Sequence, residues 1–206
     1  MVKNVKIANM PLDGGVLCLD FANTIHHRKR EPLEDYFEVT SDILDWGLRT
    51  GLLTESSYRI LIKKVDGEPS GVGSFMDKAK ELRELIYRIF YGIVNKRETG
   101  KEDIDTFNSY LSIYLNSIAV KPEGDRFVEG WKWKGEDMNR ILLLVVKSAY
   151  ELLLSDRLYR VKECPSCGWL FLDTTKNGKR KWCSMKSCGS NVKALDYYYR
   201  KKKNNR

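Results

Sequence analysis

Cys164-Pro165-Ser166-Cys167 and, fifteen residues further on, Cys183-Ser184-Met185-Lys186-Ser187-Cys188 decide how the C-terminal quarter of this chain folds. Two close cysteine pairs at this separation let four thiolates converge tetrahedrally on one ion, and zinc takes sulfur ligands without a competing geometric demand. Pro165 pre-bends the first knuckle, and Gly168 and Gly189 follow the second ligand of each pair. Disulfides would require an oxidising compartment. The N-terminus, Met1-Val-Lys-Asn-Val-Lys-Ile7 running into Pro11, has no apolar core of a signal peptide. An iron–sulfur cluster also takes four thiolates, but the spacing is closer to a zinc ribbon than to the ferredoxin patterns. Cys164, Cys167, Cys183 and Cys188 are therefore the expected ligands of one structural Zn2+, with no coordination position left for water.

Outward from the knuckles, the charge is sharply divided. The 206 residues carry 36 Lys plus Arg and 28 Asp plus Glu, a formal charge of +8. Residues 157–206 hold 14 bases and 3 acids, or +11, so residues 1–156 hold 22 bases and 25 acids, or −3. A basic segment of this kind seeks polyanions. Between the knuckles, Trp169–Asp173 reads as a strand, Asn177-Gly178 as a hairpin turn tolerant of positive φ, and Lys179–Trp182 as the return strand. Alternation then puts Lys179 and Lys181 on one face and Arg180 and Trp182 on the other. Ser190-Asn191 can cap a helix from about Val192, with Val192, Leu195 and Tyr199 docking on the ribbon and Lys193, Tyr197 and Arg200 on a polar face. Lys179, Arg180, Lys181, Asn191, Lys193 and Arg200 are the candidate nucleic-acid contacts, with DNA as the expected partner.

Residues 1–156 read mainly as helices: about 42–49, 55–64, 74–96, 102–115 and 136–155, with a loop over 67–73. Ser117–Lys121 and Arg126–Trp133 flank Pro122–Asp125 as a hairpin whose Trp131 and Trp133 share a face. The expected fold is mainly α: a helical domain with a β-hairpin, 1–156, then a four-cysteine zinc ribbon or finger with a terminal helix, 157–206. No apolar run approaches the ~20 residues of a membrane helix, so a soluble, cytoplasmic protein is expected. Cys18, in Leu17-Cys18-Leu19, reads as a small core residue. A nucleophile served by His26 or His27 lacks any further constellation, and the chain is not expected to be an enzyme. The segment Asp20-Phe-Ala-Asn-Thr-Ile-His-His-Arg28 is the one specialised stretch of the body. Asn23, Thr24, His26 and Arg28 are its candidate contacts to a small polar or anionic ligand, against the plainer reading of a turn whose polar groups serve the backbone.

Leu19-Asp20-Phe21-Ala22-Asn23-Thr24 resembles the opening signature of the ABATE domain. Arg160–Asp173, Lys179–Met185 and Cys188-Gly189 resemble the CGNR zinc finger that follows it. The resemblance covers nearly the whole chain. It implies a bacterial regulator of transcription in the stress response, a body that senses a small molecule, and a finger that binds DNA. It also implies that the four cysteines hold the metal and that Arg180, Lys181 and Trp182 match the finger's basic and aromatic positions. The naming motif departs here: Cys188-Gly189-Ser190-Asn191 replaces Cys-Gly-Asn-Arg, which removes a forked donor suited to phosphate or guanine. The rival function is a protein-interaction adaptor in which the zinc module docks a partner. Symmetric DNA recognition would suit a homo-oligomer, although no heptad seam is visible.

Overall fold

The computed structural model describes residues 2, 4–67 and 72–204. The helices are α1 (Val5–Asn9), α2 (Leu17–Ala22), α3 (Thr40–Arg49), α4 (Glu55–Gly67), α5 (Val72–Val94), α6 (Lys101–Ser117), α7 (Asn139–Leu153) and α8 (Ser190–Asn204). Two antiparallel pairs complete it: β1 (Ile118–Glu123) with β2 (Arg126–Trp131), and β3 (Val161–Glu163) with β4 (Leu170–Leu172). The periodic apolar stripes account for the helices. Leu82, Leu85, Ile86, Ile89 and Phe90 of α5, and Ile141, Val145, Val146 and Ala149 of α7, are all essentially inaccessible. Short α2 lies between these two helices, and its Phe21 meets Phe37 and Trp46 at ring separations of 5.9 and 5.4 Å.

The first hairpin turns tighter than the sequence suggested. Pro122 and Glu123 belong to β1, opposite Phe127 and Arg126, so the turn is Gly124-Asp125 alone. The last body helix also begins later, at Asn139, while Trp131 and Trp133 pack together under the Arg140 guanidinium. Of the expected 67–73 loop, residues 68–71 lie outside the described set, and Gly67 and Gly73 end up inside helices.

The larger differences lie in the zinc module. Residues 179–182 form no strand, and β4 pairs instead with β3, upstream of the first knuckle. The knuckle is itself the hairpin turn: the Cys164 amide donates to the Trp169 carbonyl and the Gly168 amide to the Cys164 carbonyl. What would have been the return strand is held as a loop by buried Asp173. Its carboxylate accepts from Lys162 Nζ (2.7 Å), Thr175 N (3.0 Å), Thr175 Oγ1 (2.6 Å) and Arg180 N (2.8 Å). These donors favour the charged form and hold its pKa well below the usual carboxylate range despite burial. Asn177-Gly178 is a turn inside that loop, closed by the Gly178 amide on the Thr175 carbonyl. Nor do Ser190 and Asn191 cap α8. A π-turn, Met185–Gly189, runs straight into the helix, and the Ser190 hydroxyl donates back to the Met185 carbonyl.

The apolar core is continuous across the change in charge near residue 156. Val161, Trp169, Leu170, Phe171 and Leu172 belong to the same buried cluster as Phe21, Leu85 and Ile89, and β3 and β4 pack on α5 and α2. Gly14 marks one close approach, since a Cβ there would sit 2.7 Å from the Asp20 amide nitrogen. Burial pushes the Asp20 carboxyl up to about 6, although the Gly14 amide donates to it at 2.8 Å. Because the raised pKa belongs to the folded state, its contribution is fully present below about pH 4 and is lost as pH rises through 6. Stability should decline across that window by on the order of 2–3 kcal/mol, and Asp20→Asn should flatten this part of a urea-denaturation pH profile. An unchanged profile in the variant would refute the assignment.

Candidate metal centre

The four expected thiolates converge. One sulfur from each of Cys164, Cys167, Cys183 and Cys188 lies within 4.8 Å of the others, with Cys167–Cys183 and Cys183–Cys188 at 3.6 and 3.7 Å. Zn–S bonds of ~2.3 Å at tetrahedral angles require sulfur–sulfur edges of ~3.8 Å. The residues therefore fit a zinc ion, and the cluster is able to bind one. Without metal, thiols this close share protons: a thiolate at Cys164 is stabilised by the Cys167 and Cys183 thiols, whose own pKa values rise. Zn2+ would replace those protons and hold all four sulfurs ionised.

The first knuckle is held by the body. The Arg28 amide donates to the Cys167 carbonyl at 2.9 Å, Tyr87 Oη to the Gly168 carbonyl at 3.0 Å, and Trp169 Nε1 to the Ile25 carbonyl at 2.6 Å. Gly168 has φ +79°, and a Cβ there would meet Arg28 Cβ at 3.1 Å, so glycine serves both the turn and the contact. Lys29 pairs with Glu163 at 2.7 Å.

This same network accounts for the segment read as a ligand pocket. Asn23 is fully buried, and its amide both donates to the Leu170 carbonyl (2.8 Å) and accepts from the Leu170 amide (3.0 Å). Thr24 Oγ1 donates to the Phe21 carbonyl. Arg28 stacks 3.7 Å over Tyr87 and forms two bonds to Glu84, at 2.8 and 3.2 Å; Glu84 in turn takes Arg83, which clamps Asp35. Asn23 and the Arg28 amide thus staple body to module, while Thr24 and the Arg28 guanidinium are bonded within the body. The segment's polar composition marked it as special. Which polar groups faced backbone could be known only once Leu170 was placed against it.

His26 is separate: half exposed, 3.4 Å from Glu34, it lines a cleft with room for about 200 Å3. Pro11, Asp13, His27, Arg30 and α8 residues Asn191, Val192 and Leu195 also line this cleft, and its floor includes Cys167, Cys183 and Cys188. Cys18 does not line that cleft. It is fully buried, its amide accepted by Ser148 Oγ, and burial pushes its thiol up to about 12.

The candidate nucleic-acid residues divide. Lys179, Lys181, Asn191, Lys193 and Arg200 are exposed. Arg180 turns inward: its guanidinium lies 4.7 Å over Phe171 and donates to the carbonyls of Trp182, Asp13 and Cys183. The expected alternation of faces is met without strand pairing, since Trp182 is half buried while both lysines point out. Along α8, Val192 is half buried but Leu195 is 55% exposed, so the docking stripe is thin. The Tyr199 side chain lies outside the described residues.

A helical body joined through buried backbone bonds to a four-thiolate module defines a zinc-finger protein with an N-terminal helical domain. Two family models match in that order: ABATE, described as "Putative stress-induced transcription regulator", over residues 15–156, and the CGNR zinc finger over 160–201. The chain belongs to the ABATE family and carries its CGNR zinc finger. No curated protein matches it. Among the described residues no helix is long and apolar enough to cross a membrane.

Proposed function

We propose that this protein is a non-catalytic transcription regulator that binds DNA through the zinc module and senses a small molecule at the cleft beside it. One observation carries the DNA reading. Lys176, Lys179, Lys181, Lys186 and Lys193 are all exposed, and among the described residues none is paired with a carboxylate. Structural roles absorb two of the module's other bases: Lys162 serves Asp173, and Arg160 binds the carbonyls of Asp173 and Thr175. The charge left over is therefore displayed rather than consumed. Four bound thiolates and Zn2+ together carry −2, which leaves the 157–206 segment at about +9. Lysines displayed in this way suit phosphate contacts, which give affinity and register without sequence readout. The inward Arg180 and the absent motif arginine both point to backbone contact as the larger share.

The test uses the full zinc-loaded chain and fluorescent duplex DNA across a salt series. Affinity should fall steeply with salt, and Lys179→Glu with Lys181→Glu should weaken it by roughly tenfold or more and flatten the slope. Absence of binding at low salt overturns the reading. The adaptor reading draws on Met185, Leu195, Tyr197 and Tyr198, which are 49%, 55%, 67% and 59% exposed. It expects a protein partner held with little salt dependence.

A further inference from the structure

We propose that Cys188 is an oxidation site, attacked by hydroperoxides through the cleft, and that its oxidation to a disulfide with Cys183 ejects the zinc. This rests on the cleft being the sensing site and names what is sensed.

The four ligands are not equally protected. Cys164, Cys167 and Cys183 are 0%, 4% and 2% exposed, whereas Cys188 is only half buried. The cleft that reaches it holds several water-sized molecules at ~30 Å3 each, ample for hydrogen peroxide. Its walls also carry donors. Arg30 lines it, and His27 Nδ1 accepts the Lys29 amide at 3.2 Å, which leaves the proton of the neutral ring on Nε2.

The chemistry balances with the peroxide as sole oxidant. The Cys188 thiolate attacks one peroxide oxygen: an S–O bond forms, the O–O bond breaks, and hydroxide leaves. The resulting sulfenic acid is a poor zinc ligand. The Cys183 thiolate, 3.7 Å away, then attacks the Cys188 sulfur: the S–S bond forms, the S–O bond breaks, and a second hydroxide leaves. Two thiolates lose one electron each and the peroxide gains two. Cys188 is the natural first target and the Cys183 sulfur lies 3.7 Å from it, so the bridge should form between these two. It also falls where it can act. Cys188 sits in the π-turn Met185–Gly189 that leads into α8, and shortening the sulfur separation to ~2.05 Å requires that turn to rearrange. Oxidation would thus release both the ion and the base of the lysine-bearing helix.

The sequence makes the bridge easy to map. Trypsin places Cys183 in Trp182–Lys186, Cys188 in Ser187–Lys193, and Cys164 with Cys167 together in Glu163–Lys176. The zinc-loaded full chain is treated with hydrogen peroxide, released metal is read with a chromogenic chelator, free thiols are alkylated, and the digest is weighed. The expected result is stoichiometric zinc release, a Trp182–Lys186 peptide joined to Ser187–Lys193, and two alkylated thiols on Glu163–Lys176. A thiol reductant with added zinc should restore the starting state. Retention of zinc under excess peroxide overturns the proposal, as does a bridge inside Glu163–Lys176. Duplex DNA affinity followed alongside should fall at least tenfold on oxidation. If zinc leaves and the bridge forms but the reduced protein never bound DNA, the oxidation site stands and the DNA-binding reading falls.

Discussion

Cys167→Ser, or removal of zinc by a chelator, is expected to destabilise the entire chain and not only its C-terminal fifty residues. Metal in a four-cysteine module supplies apparent folding free energy of ~10–16 kcal/mol in small finger peptides. Here that energy is coupled to the body. Trp169, Leu170, Phe171 and Leu172, which the knuckle orients, are part of the same core as α2 and α5. The Cys167 carbonyl is the acceptor for the Arg28 amide, so losing the knuckle also frees the arginine that bridges to Glu84. A loss of even ~5 kcal/mol corresponds to a Tm lower by roughly 10–20 °C in a chain of this length. Circular dichroism melts with and without chelator, alongside metal analysis, check this. A metal-free chain that melts at the original temperature, or a second transition that moves alone while the body's stays put, would show that the two parts are energetically independent.

The second large effect belongs to Asn23. Asn23→Ala removes one donor and one acceptor from the backbone of Leu170, in a place water does not reach. Leaving those groups unsatisfied costs ~1–3 kcal/mol each, so Tm should fall by roughly 5–20 °C. Asn23→Asp should be no better. A carboxylate can still accept the Leu170 amide, but it faces the Leu170 carbonyl with no proton to offer and carries a buried charge. A ligand contact would behave in the opposite way, leaving the melt intact while a binding signal disappeared. An Asn23→Ala protein with an unshifted melting curve would restore the pocket reading of that segment.

Some of this molecule is local physics and was legible from residues alone. The zinc site follows from four cysteines whose knuckle spacing brings each pair together before any long-range contact forms. The helices follow from apolar stripes at helical spacing, as in Leu82, Leu85, Ile86, Ile89 and Phe90, all of which are buried. Cys18 reads as a core thiol and is one. Other features reversed a local signal. Asn177-Gly178 is a strong hairpin signal, yet Asp173 with its four donors overrides it and β4 takes the strand before the knuckle as its partner. Arg180 reads as a surface base, but carbonyls of Asp13, Trp182 and Cys183 draw it inward.

By itself the sequence determined the metal, its ligands, the helical class and the uneven charge, because each depends on residue type at short spacing. Only the tertiary structure decided that Asn23 and Arg28 hold the module to the body, and that the surplus positive charge shows on lysines. It also decided that three zinc ligands line one cleft and that Cys188 alone of the four is left half buried. Those outcomes turn on which buried group meets which backbone atom across more than a hundred residues, as when Asn23 meets Leu170. A polar side chain carries no mark in the sequence of whether its partner will be a ligand, water or a distant peptide bond.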